Sequence, residues 1–186
     1  MQKHAGFIVG AYPCAPSFHQ RSESEESEFW RKLSDIPDIR GIEQPYLEAL
    51  HPFGDDWLFR HLPQEWDIVV TGVMETMRRR GTQPGFGLAS EDQEQRRACI
   101  SFYRHLFEKV SHTNQYFGRE KILAVEIQSA PLAGTANIEE STRCFSDSLQ
   151  EILGWDWPCE LIIEHCDALG KPGARKGFLP LESELA

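Results

Sequence analysis

Leu161-Ile162-Ile163-Glu164-His165-Cys166-Asp167 is a short apolar run that ends abruptly in groups able to bind a metal or move a proton. It reads as a buried strand with chemistry at its carboxyl end. Two earlier stretches share the form: Ile39-Arg40-Gly41-Ile42-Glu43-Gln44-Pro45 and Ile122-Leu123-Ala124-Val125-Glu126-Ile127-Gln128. Three strands thus end in a glutamate. Two further apolar runs, GFIVGAY at 6–12 and DIVVTGV at 67–73, complete a set expected at 6–12, 39–44, 67–73, 121–127 and 160–165.

Helical spacing fills the gaps between these runs. Phe29, Trp30, Leu33 and Ile36 recur at helical intervals until Pro37 stops them. A short helix is expected over 55–62, carrying Trp57, Leu58 and Leu62. The strongest signal follows: Ser90 with Gln93 suggests a capping box, and Cys99, Phe102, Tyr103, Leu106, Phe107 and Val110 share one face until Gly118. Asn137 with Glu140 opens a helix over 138–153, and 179–185 begins a last one. Residues 74–90, with Arg78-Arg79-Arg80 and Gly81, Gly85 and Gly87, read as the longest loop.

Strands alternating with helices, none close enough to its neighbour for a hairpin, demand a parallel sheet and an α/β class. Two architectures fit: an incomplete (β/α)8 TIM-barrel-like fold of about five strands, a whole barrel needing about 250 residues, or an open doubly wound parallel sheet. Glutamates at three different strand ends favour the barrel, whose working residues come from several strands. Tyr12-Pro13-Cys14-Ala15-Pro16 after the first strand carries no glycine-rich dinucleotide or phosphate-loop fingerprint.

Composition bounds the function. The 186 residues suit a single domain, and 40% hydrophobic with 26% charged residues is ordinary globular usage. A formal charge of −10 argues against a surface for phosphate backbones, so nucleic acid is not an expected partner. No apolar run reaches membrane-spanning length, and the one near the amino terminus is too short for a signal peptide, so a cytoplasmic protein is expected. Cys14, Cys99, Cys144, Cys159 and Cys166 are odd in number and form no Cys-x-x-Cys pair, against both a disulfide framework and a structural zinc.

Six motifs taken together resemble a known family. They are Phe7-Ile8-Val9-Gly10-Ala11-Tyr12, Ile39-Arg40-Gly41-Ile42-Glu43, Ala124-Val125-Glu126 with Ser129-Ala130-Pro131, Gly154-Trp155-Asp156-Trp157, Ile163-Glu164-His165-Cys166-Asp167-Ala168, and Lys176-Gly177-Phe178-Leu179-Pro180-Leu181-Glu182. In this order they resemble an uncharacterised bacterial domain-of-unknown-function family with a xylose isomerase-like TIM barrel. The resemblance implies a sugar isomerase or epimerase acting on a small sugar or polyol, and a divalent metal (Mn, Mg or Zn). It also implies a longer protein, of which 1–186 is the amino-terminal part, truncated at the carboxyl end and inactive alone. Glu164 matches a place where a metal ligand is expected, and the other ligands would lie on later strands.

The residue-level readings remain paired. Glu164 is a metal ligand or general base, or else it pairs with an arginine or caps a loop. Glu43 and Glu126 are catalytic candidates of a barrel pocket. Gln44, Gln128, His165 and Asp167 are substrate-binding candidates, since planar amides suit sugar hydroxyls. The alternatives are loop polarity for the glutamines, structural packing for His165 and a helix cap for Asp167. Cys166 reads as a small packed residue. The arginine run binds a sugar phosphate or is simply solvated, and Trp155 and Trp157 pack or form a sugar platform.

Three functions follow. The first is the metal-assisted isomerase or epimerase. The second is a non-catalytic remnant or assembly module whose unpaired sheet edges favour a homo-oligomer. The third is a glycoside hydrolase, which needs two glutamates about 5–10 Å apart. The expected partner is a small carbohydrate, with neither nucleic acid nor membrane.

Overall fold

The computed structural model describes residues 6–20, 22–132, 137–166 and 177–185. Five strands, β1 (Phe7–Val9), β2 (Ile39–Pro45), β3 (Asp67–Thr71), β4 (Ile122–Ile127) and β5 (Glu160–Ile163), form one sheet. Every pairing is parallel and the order is β1-β2-β3-β4-β5. That order lacks the reversal a doubly wound sheet needs, and matches parallel βα repeats laid side by side as in part of a barrel. β1 and β5 each keep one edge without a pairing strand among the described residues.

The helices are α1 (Glu23–Ser34), α2 (Asp55–His61), α3 (Val73–Arg80), α4 (Gln93–Phe117), α5 (Ile138–Leu153) and α6 (Leu181–Glu184). Two 3-10 turns, Tyr12–Cys14 and Pro16–His19, follow β1. Period two along the strands decides which side chains meet the helices. Ile42, Ile68, Val70, Val125 and Ile127 point one way and join Trp30, Trp57, Leu58, Tyr103, Leu106, Phe145 and Ile152 in one buried core. Gly41, Glu43, Val69, Thr71, Ala124, Glu126, Ile162 and Glu164 alternate with them and carry the opposite face.

Local signals explain most helix ends. Ser22 and Glu25 close a capping box on α1, and Asn137 caps α5 as its spacing predicts. α4 ends at Gly118, whose φ of 63° is the left-handed cap that glycine adopts most cheaply. Its start differs from the expectation: Asp92, not Ser90, accepts from the Glu94 and Gln95 N–H groups, while Ser90 Oγ accepts from the Asp92 N–H. A carboxylate two residues nearer the first helical turn displaces the hydroxyl.

The expected long loop at 74–90 is corrected. Its first half is α3, hidden in the sequence because its buried anchor is charged. Glu75 is fully buried and accepts from Arg78 at i+3 and Arg79 at i+4, and the Thr76 hydroxyl donates to the Gly72 carbonyl. Two arginines of the run are thus held by one carboxylate.

The second half is loop, exposed over 81–84 but buried over 85–90. Phe86, Leu88 and Ala89 are wholly covered, and the Ala89 N–H donates to the Ser129 carbonyl at 2.6 Å. At Gly87 an added Cβ would lie 1.8 Å from the Ala130 carbonyl oxygen. A methyl there must displace backbone, so Gly87→Ala is expected to cost about 2–3 kcal/mol, read as a lowered urea midpoint with unchanged slope. A loss below about 0.5 kcal/mol would show that the loop and the end of β4 do not meet as described.

Candidate functional site

The carboxyl ends of the strands gather Glu43 from β2, Glu126 from β4 and Glu164 just past β5 around Tyr12. Parallel register brings this about. Thr71 pairs with Glu126, Glu126 pairs with Ile162, and the Glu164 N–H continues the ladder to the Ile127 carbonyl. Gly10 leaves the space that Glu43 fills, since a Cβ on Gly10 would stand 2.8 Å from Glu43 Oε2. The Tyr12 hydroxyl donates to the Glu43 carboxylate.

Crowding sets the protonation of these groups. Burial first, then the charges of Glu43 and Glu164, push the Glu126 carboxyl up from 4.5 to about 7, against a hydrogen bond from Thr71 that lowers it. Burial, followed by Glu43, pushes the Tyr12 phenol up to about 12. Near neutral pH the site therefore holds a phenol that keeps its proton and a carboxyl that readily exchanges one.

A cavity of about 440 Å³, within the range usual for small-molecule sites, is lined by Tyr12, Thr71 and Glu164 of this group, with Glu126 paired beside Thr71. Tyr12, Pro13, Phe18 and His19 come from the turns after β1, Val73, Met74 and Met77 from α3, and Thr71 and Glu164 from the strand ends. α3 thus forms one wall of the mouth.

The remaining candidates fall elsewhere. Gln44 is 3% exposed and faces a small space lined by Glu26, Trp30 and Leu33, on the helix side of β2. Gln128 is buried at the end of β4, where its Nε2 donates to the Gly177 carbonyl. His165 turns to α6: its Nδ1 lies 2.6 Å from Glu184 Oε2, and the other oxygen of Glu184 accepts from Ser129 Oγ at 2.5 Å. This clasp fastens the final helix, and Ser129 Oγ also accepts from the Leu179 N–H. Asp167 lies outside the described residues.

The arginines of the run are engaged within the fold. Arg78 and Arg79 are held by Glu75, and Arg80 Nη1 donates to the Pro131 carbonyl. Trp155 and Trp157 stack on one another and pack against Phe107, with the Trp157 indole bonded to the Ile152 carbonyl, so they are packing residues.

Tyr12, Thr71, Phe18, Met74 and Met77 are the site residues that sequence reading missed. Tyr12 and Thr71 close their apolar runs in the same way as the three glutamates, a signal that a search restricted to acids passes over. Among the described residues no group of three or more His, Cys, Asp or Glu is placed to hold a metal ion. No described helix is long and apolar enough to cross a membrane.

Comparison with known proteins agrees with the sequence on one point. A family model described as "Domain of unknown function (DUF4862)" matches residues 8–186. An uncharacterized protein of Salmonella typhimurium is 59% identical over 185 residues, which is 100% of this chain and 59% of that protein. The chain therefore spans about three fifths of the length of the curated relative it matches. No solved structure matches.

Proposed function

Since the chain belongs to the DUF4862 family of domains of unknown function, we propose its function from its own strand-end groups: proton transfer in an isomerase or epimerase acting on a small sugar or related polyol. One observation carries this reading. Glu126 stands half-buried at its strand end beside Glu43 and Glu164, and burial together with their charges pushes its carboxyl up to about 7. A group so poised is suited to remove a proton from the carbon beside a carbonyl near neutral pH.

The chemistry balances without further reagents. Ionised Glu126 takes the proton from the hydroxyl-bearing carbon next to the carbonyl. The electron pair moves to the carbonyl oxygen, which receives a proton from a donor such as Tyr12, and an enediol results. Returning the proton from Glu126 to the former carbonyl carbon, while the hydroxyl proton on the neighbouring carbon passes to the Tyr12 phenolate, gives the isomer; returning it to the opposite face of the same carbon, while the oxygen protonated by Tyr12 gives that proton back, gives the epimer. Glu43 holds the Tyr12 hydroxyl in place. The divalent ion that the family resemblance implies finds no three-donor set among the described residues. The activity is proposed for the longer Salmonella relative as well as for this chain.

Deuterium incorporation tests the reading. Aldoses and ketoses incubated in D2O with this chain, and with the full-length Salmonella relative, are expected to gain deuterium beside the carbonyl. The rate of catalysed exchange should rise about tenfold per pH unit well below pH 7 and level above it, as the base ionises. Carboxyl groups gathered from different strand ends also serve glycoside hydrolysis. Release of sugar from glycosides without any deuterium gain would select that second reading and sink the first.

A further inference from the structure

The cavity's walls and its floor differ in chemistry. Tyr12 and Phe18 face each other at 5.8 Å between ring centroids on one side, and Met74 and Met77 line the α3 side. Polar groups gather at the strand ends, where Glu164 and Thr71 lie beside Glu126. No lysine or arginine belongs to the described lining, and the nearby arginines of α3 are engaged by Glu75 and the Pro131 carbonyl. His19, the one lining side chain able to carry positive charge, has its Nε2 2.9 Å from the Pro13 carbonyl oxygen, so a phosphate or carboxylate on the ligand would meet mainly carboxylates and apolar carbon.

From this we propose that the site takes an uncharged sugar whose far end is deoxygenated or otherwise apolar, with its carbonyl end at the strand-end carboxylates and its apolar end between Phe18 and Met74/Met77. The assignment rests on the proton-transfer reading for the orientation of the ligand. It rests on the cavity walls alone for the ligand's chemical class. Unbranched methionine side chains adapt to an irregular apolar group, and the aromatic rings supply flat apolar area. A hydroxyl placed among them gives up its water without gaining a partner.

Matched ligands isolate the far end. Binding of a 6-deoxyhexose, the parent hexose and its 6-phosphate to the 186-residue chain is measured by titration calorimetry or ligand-observed NMR. The 6-deoxy sugar is expected to bind at least about tenfold more tightly than the parent, the scale of one methyl group in an apolar pocket, and the phosphate least of all. Phe18→Ser and Met77→Gln should each bring the deoxy-to-parent ratio below about threefold. Circular dichroism confirms that both variants fold, and since Met77 is 37% exposed its replacement leaves the core intact.

Equal or tighter binding of the phosphate would overturn the proposal. So would a deoxy preference that survives in both variants, or no binding by any of the three sugars. Because binding is read, the preference should persist in Glu126→Gln, which is expected to lose deuterium exchange. Loss of the preference there too would also count against an apolar-tail site. Failure of proton transfer with the preference intact counts against the proposed reaction alone.

Discussion

Glu26→Ala lowers the unfolding free energy by about 3–5 kcal/mol, the cost of leaving three buried donors unpaired, and the largest loss expected from any one side chain discussed. Glu26 sits on α1 with no exposure, yet its carboxylate is ionised. Burial pushes it up, but hydrogen bonds from the Ser17 N–H, the His51 ring and the Trp30 indole together carry it below the usual carboxylate range. The distances are 2.7, 3.0 and 2.8 Å.

The His51 tautomer follows from its own bonds. Nδ1 accepts from the Phe53 N–H, so the ring donates through Nε2 and is neutral, in keeping with burial lowering its pKa. Three donors, rather than a countercharge, therefore hold the buried anion. Alanine leaves all three without a partner. Glutamine restores an acceptor but sets its NH2 against one of the donors, so an intermediate loss is expected.

The pH dependence has a definite sign. Glu26 has a depressed folded pKa, so its contribution is present above about 4.5 and is lost as pH falls through the folded value. Urea denaturation from pH 3 to pH 7 should show a shallower acid limb in the alanine variant. A loss under 1 kcal/mol at pH 7 would mean the network is not formed.

Glu126→Gln has the opposite sign on stability and a large effect on activity. With the folded carboxyl at about 7 against 4.5, the folded chain keeps a proton between these values that the unfolded chain has released. The stability this supplies is complete below about pH 4.5 and is lost as pH rises through 7. The displacement corresponds to about 3 kcal/mol, or about 2 kcal/mol once the partial exposure of Glu126 is allowed for. Glutamine keeps the volume and carries no charge. The variant should thus be about 2 kcal/mol more stable than the parent at pH 8.5 and equal to it near pH 4. Deuterium exchange into sugars should meanwhile fall by about 10²–10⁴-fold, the usual worth of a positioned acid or base. A stability difference that is flat with pH would show that Glu126 is not held among like charges, and exchange that survives the substitution would remove its role.

Particular residues show where sequence reading reached and where it stopped. Short apolar runs located all five strands: β2, β3 and β4 are largely buried, and the half-exposed β1 and β5 keep the apolar side chains of the face packed under the helices. Asn137 and Gly118 marked helix ends because capping is a local interaction within one turn. α3 escaped because Glu75 holds Arg78 and Arg79 inside the fold, and a buried carboxylate looks like surface charge in a sequence. His165 was read beside Glu164, yet it belongs with Glu184, nineteen residues on.

The sequence by itself determined the α/β class, the parallel pairing and the placing of Glu43, Glu126 and Glu164 at strand ends, since each follows from periodicity and chain direction within a few residues. Only the tertiary structure decided that the sheet runs in unbroken order and that Tyr12, Thr71, Phe18 and the methionines of α3 share one cavity with Glu164. It also decided that burial and the neighbouring carboxylates push the Glu126 carboxyl up to about 7. Those properties depend on desolvation and on charges brought together from strands far apart in the chain, and no local pattern of residues encodes a distance through space.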